Sequence, residues 1–87
     1  MTKRTVTVKS VSDDDLQGLQ NSAGAAGDII MAAIAELART GKFDGDEWTA
    51  LEPHEVRRVN KMTKRQALKE CVDVINAARR ESEREWE

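Results

Sequence analysis

A single cysteine, Cys71, rules out a disulfide within this chain of 87 residues. So sparse a use of cysteine fits a reducing compartment. With His54 as the one histidine, the chain has too few soft ligands for a structural zinc site, and no metal or other cofactor is expected. Only Phe43, Trp48 and Trp86 are aromatic, and 11 of the hydrophobic residues are alanine, so the core is thin for the length. Small domains with thin cores gain stability by self-association, so a homo-oligomer is expected, a dimer first of all. No apolar run reaches bilayer length; the 28–38 stretch is too short and gives way to polar turns. Residues 1–8 carry basic side chains but no long apolar core or small-residue cleavage site, so the segment does not read as a signal peptide. A cytoplasmic protein is the expectation. The net charge of −2 excludes a polycation drawn as a whole to nucleic acid.

Catalytic apparatus is also missing. There is no serine-centred elbow and no Walker loop. Cys71 falls on an apolar helical stripe, where a free thiol behaves as a small hydrophobe. His54 follows Pro53 and reads as a polar first-turn residue. An enzyme is therefore not expected.

What is present is helical periodicity, strongest at 28–39. Ile30, Ala33, Ile34, Leu37 and Ala38 recur at helical spacing, and Ile29 and Met31 spread apolar surface round the sides. Glu36 is the only charge between Asp28 and Arg39. Such a helix must be covered by other segments or by another chain. Asp28 suits its start, and Gly41 supplies a left-handed stop.

Around this helix the chain divides as follows. Residues 4–11 alternate polar and β-branched side chains, with Val6 and Val8 on one side and Thr5, Thr7 and Lys9 on the other. This is the one strand signal, and a lone strand needs a partner for its backbone, from a second copy or another protein; the alternative is a flexible arm. Ser12 caps a short helix whose first turn holds Asp13, Asp14 and Asp15, three carboxylates that fan out rather than converge on a cation. Leu16, Leu19, Ala23 and Ala26 form its stripe, and the glycines and 20–22 predict a bend within 21–27. Gly24 to Gly27 is not a phosphate loop: no strand leads in, and Asp28 would repel the anion.

Thr40 to Asp46 reads as a loop, lacking the ligand spacing of a calcium loop, with Phe43 and Trp48 anchoring it. Thr49 to Glu52 has a capping-box pattern, and a short helix follows to about Lys61 with Val56, Val59 and Met62 facing in. Thr63 to Gln66 is a second box. It opens a last helix with Leu68, Cys71, Val72, Ile75 and Ala78 on the buried stripe, and Trp86 on the same face beyond. The expected fold is thus mainly α: residues 1–87 as one small domain of three to four helices. Residues 1–11 are a strand or extended arm, 12–80 a helical core and 81–87 a charged helical tail.

The charge distribution is the best functional clue. Between Val56 and Lys69 stand Arg57, Arg58, Lys61, Lys64, Arg65 and Lys69, with no acidic residue among them. These six form a candidate partner-binding patch, although amphipathic helices ordinarily place Lys and Arg on their solvated face. Val6, Val8 and Trp86 are candidate contacts for self-association or a partner. The reading that follows is a non-catalytic interaction protein that self-associates and binds a macromolecular partner, a protein first of all, to inhibit or regulate it. Its size and lack of catalytic apparatus suit a small accessory protein of a phage or mobile element. The alternative is a DNA-binding regulator. The order of a 4–11 strand, a Leu16/Leu19 helix and an Ile30/Ile34/Leu37 helix resembles ribbon-helix-helix proteins. That resemblance implies major-groove contacts from Thr5, Thr7 and Lys9. A helix-turn-helix reading would use Lys64, Arg65 and Lys69 instead.

Overall fold

In the computed structural model, residues 5–85 are described, with side chains described as far as Glu81. Four helices follow one another: α1 (Asp13–Ala25), α2 (Ile29–Thr40), α3 (Pro53–Asn60) and α4 (Lys64–Glu85). No strand occurs among the described residues. The molecule is mainly α, built round α2, which contacts all three other helices, α1 and α4 most extensively.

The caps explain where the helices begin and end. Ser12 Oγ accepts from Asp15 N at 3.1 Å while Asp15 Oδ2 accepts from Ser12 N at 3.2 Å, a reciprocal pair that satisfies two otherwise unbonded donors. α1 is not broken at 20–22; it runs on to Ala25, and the chain turns at Gly27 (φ +84°). Good helix formers round Gln20 outweigh the weak positions, because their burial against α2 stabilises the helix as propensity alone would not. Asp28 Oδ1 accepts from Met31 N at 3.3 Å to open α2. Gly41 closes it in the left-handed region (φ +77°), donating to Leu37 O at 2.8 Å, as a glycine stop does. The Thr49 box does not form. α3 starts one turn later, with Pro53 at its first position and Glu52 N donating to Glu55 Oε1 at 2.9 Å. Proline has no N–H to lose there, which fixes the start. The Thr63–Gln66 box forms in both directions, at 2.9 and 3.1 Å.

Ala32, Ala33, Ile34, Ala35, Leu37 and Ala38 are buried on α2, with Ile30, Ile29 and Met31 half-buried. Ile34 is 1% exposed, so the cover this helix requires comes largely from its own chain. Leu16 joins its core from α1, Val59 from α3, and Ala67, Cys71 and Ile75 from α4. Ala26 and Ala78, expected on buried stripes, are exposed. Val74, at 37%, is the one large hydrophobic side chain exposed among the described residues.

The N-terminal segment departs from the strand reading over its described residues. Val6 N donates to Asn76 Oδ1 at 2.9 Å, and Asn76 Nδ2 donates to Val6 O at 2.9 Å. One side-chain amide on α4 thus satisfies the backbone groups that a second strand would have taken. Thr7 O then accepts from Ser10 N and Val11 N, so the chain turns before α1. The alternation keeps its sense: Val6 and Val8 are half-buried, while Thr5, Thr7 and Lys9 are exposed.

Candidate functional site

Six cations from the 56–69 stretch reach the surface, and all are exposed. The fold gathers three of them. Arg58 and Lys61 at the end of α3 face Gln66, Lys69, Glu70 and Asp73 on α4 across an open groove of about 490 Å³, floored by Met62. Arg57, Lys64 and Arg65 do not line it. Its shape follows from the short α3–α4 connection: Lys61 N and Met62 N return to the last carbonyls of α3, and Thr63 immediately caps α4. Two helix ends therefore meet with Met62 wedged between them, half-buried and in contact with the core.

The electrostatics of the groove are uneven. Arg58 Nη2 lies 3.4 Å from Glu70 Oε1, an ion pair between half-exposed side chains. Lys61 and Lys69 make no ion pair among the described residues. The start of α4 adds positive character: it has no acidic residue in its first turn, where the helix dipole presents its positive end. Further along the same helix, Glu70 and Asp73 give the lining two carboxylates.

The remaining ionic side chains near the core are structural. Arg39 donates from Nη1 to Gln20 Oε1 at 2.7 Å, and its Nε stands 3.2 Å from Asp13 Oδ1 without the alignment of a hydrogen bond. Gln20 Nε2 and Trp48 Nε1 donate to the two oxygens of Glu36, at 3.4 and 3.3 Å. This seam fastens α1, α2 and the 41–52 loop together, with Trp48 anchoring the loop as expected. On the other side Arg79 Nη2 donates to Asp15 Oδ1 at 3.3 Å, tying α4 to α1. Two of the three clustered aspartates are thus taken up by arginines on different helices, which sequence spacing could not reveal. Gly45 is a further position that the sequence reading passed over. A Cβ there would meet Val56 Cγ1 at 2.7 Å, so only glycine lets the loop lie so close to α3.

Cys71 is fully buried on α4. Burial, and then the Glu70 charge, push its thiol from 9.0 up to about 11, so it stays protonated at neutral pH. His54 is exposed on α3 near Glu52, 3.9 Å from its carboxylate. No group of three or more His, Cys, Asp or Glu among the described residues is placed to hold a metal ion. No described helix is long and apolar enough to cross a membrane. Trp86 lies outside the described residues.

Comparison with protein-family models, with curated proteins and with solved structures finds no match to this chain.

Proposed function

We propose that this chain is a small non-catalytic interaction protein that binds a protein partner through the α3–α4 groove and so inhibits or regulates it. The observation that carries this reading is the contrast in charge satisfaction. Arg39 and Arg79 are held by carboxylates, whereas Lys61 and Lys69 flank an apolar Met62 floor with no ion pair among the described residues. A concave surface joining an apolar centre to unsatisfied charge is what a protein interface uses: the centre contributes affinity, and the rim steers the encounter.

The test is a photoreactive side chain at position 73, on the wall of the groove, in the full-length chain. The expected result is a discrete crosslinked partner whose activity changes on adding the chain. Lys61→Glu with Lys69→Glu should abolish the crosslink while the fold persists. A crosslink pattern indifferent to the charge reversal, or none, would remove the groove from consideration. Salt-sensitive binding of duplex DNA through the same lysines would establish the DNA-binding alternative instead.

Self-association is part of the same proposal, and a different surface supports it. A two-fold interface sets a patch against its own copy, and the α3–α4 groove, with three cations against two carboxylates, would then set a net positive charge against itself. The shallow groove between α1 and α4 has no such conflict. Val74, Leu19 and Ala78 line it with Gly18 and Ser22, and Asp15 and Arg79 neutralise each other at its edge. Light scattering at micromolar concentration should give a mass above that of one chain, reduced by Val74→Asp. A monomer at every concentration ends this part of the proposal.

A further inference from the structure

We infer that the occupant of the α3–α4 groove is an acidic helical segment of the partner, seated by an apolar side chain on Met62. The inference rests on the reading of the groove as a protein-binding site and names the chemistry of what fills it.

Charge complementarity sets the sign. Arg58, Lys61 and Lys69 line the groove against Glu70 and Asp73, and because Arg58 is paired with Glu70, the two lysines outnumber the one remaining carboxylate; neither lysine makes an ion pair among the described residues. Both lysines are exposed, so their charge is available without a desolvation penalty before the partner arrives. The start of α4 adds its dipole to theirs.

The floor sets the second requirement. Met62 lines the groove and also contacts the core, so it presents a supported thioether rather than a loose side chain. Methionine adapts its shape to whatever aliphatic or aromatic group is laid on it, which suits a surface that receives one face of a helix.

Helical form follows from what the described surface offers. Recognition of an extended peptide by strand addition needs an open sheet edge, and no strand occurs among the described residues. Two helix ends flanking a groove can instead receive a third helix by ridge-and-groove packing. Nucleic acid is disfavoured by the wall itself, because Glu70 and Asp73 line the groove beside the lysines. A phosphate backbone following it would pass both carboxylates. A peptide avoids this by placing acid beside Lys61 and Lys69 and a neutral or basic residue beside Asp73.

The experiment titrates the ¹⁵N-labelled full-length chain with synthetic peptides of about four helical turns. The first has Leu at every third and fourth position and Glu elsewhere. The second replaces Leu by Ser, the third replaces Glu by Lys, and a duplex DNA completes the set. The Glu/Leu peptide should shift the amides of Met62, Gln66 and Lys69. Lys61→Glu with Lys69→Glu should weaken it by at least about tenfold, since both partners of the charge contact then repel. The Ser and Lys peptides and the duplex should leave those amides unmoved. Equal binding of the Ser peptide, groove shifts with the Lys peptide or the duplex, or no shift with the Glu/Leu peptide would each overturn the inference. A crosslinked partner released by the Lys peptide but not by the Glu/Leu peptide would overturn it and leave the groove reading standing. Loss of the crosslink itself would remove both.

Discussion

Two polar regions of the molecule treat charge in opposite ways. In the Gln20–Glu36–Arg39–Trp48 seam every side chain has a partner, and the contacts join α1, α2 and the 41–52 loop. In the α3–α4 groove the charges lie at the rim, and two of its three cations have no ion pair among the described residues. The seam is half-buried, where an unmatched charge would be costly, and its polar groups hold the fold, with Arg39 Nε near Asp13 but without an aligned hydrogen bond. The groove is solvated, where an unmatched lysine costs almost nothing and remains available to a partner. Formal charge alone does not separate the two regions. Local burial and the fate of each polar atom do, and the Arg58–Glu70 pair, exposed and long at 3.4 Å, lies between them in kind.

The comparison predicts its largest effect in the seam. Glu36→Ala removes the acceptor of both Gln20 Nε2 and Trp48 Nε1 and leaves Arg39 with less opposing charge nearby. Loss of hydrogen bonds to a half-buried charged group should cost about 1–3 kcal/mol. For a chain of this size that lowers the thermal midpoint by roughly 4–8 °C for each kcal/mol. Trp48 should report the change directly, with its fluorescence shifting to the red as the 41–52 loop loosens, although a second contribution from Trp86 makes a Trp86→Phe background the right one to use. An unchanged midpoint would mean that the seam is no more important to folding than the groove, and the contrast would fail.

The sequence carried the helical elements well because their signals are local. The Ser12 cap, the Thr63 box, the Gly41 stop and the Ile30–Ala38 periodicity depend on residues a few positions apart, and each reappears in the structure. The Thr49 box failed because a pattern of the same form, Glu52 with Glu55, sits beside Pro53, and the proline decides where the helix starts. The N-terminal segment, which the sequence leaves open between a strand and an extended arm, depends on information of a different kind. Its alternation placed Val6 and Val8 on the inner side, but the backbone partner proved to be Asn76, 70 positions away, which no periodicity could indicate. The need to cover α2 was legible, with other segments of the chain and a second chain both open as its source, and the burial of Ala33, Ile34 and Leu37 within the single chain shows that much of the cover is intramolecular. Of the basic patch, sequence gave all six members with no means of choosing among them. The turn at Lys61–Thr63 is what directs Arg58, Lys61 and Lys69 into one groove and leaves Arg57, Lys64 and Arg65 outside it.

The smallest effect should come from the groove. Lys61→Ala with Lys69→Ala should change stability by no more than about 0.5 kcal/mol in either direction. The two substitutions have small and opposing consequences. Lys61 follows the last residue of α3, where a cation favours the helix dipole, so its removal costs a few tenths of a kcal/mol. Lys69 is exposed within α4, where alanine is the better helix former and restores about as much. Neither side chain forms an ion pair among the described residues that would be lost. Chemical denaturation should therefore give the same midpoint and the same slope as the unaltered chain, while binding of the Glu/Leu peptide falls. A double variant that unfolded as readily as Glu36→Ala would show that these lysines serve the fold, and the division between a seam that holds the molecule together and a groove left free to bind would then have no basis.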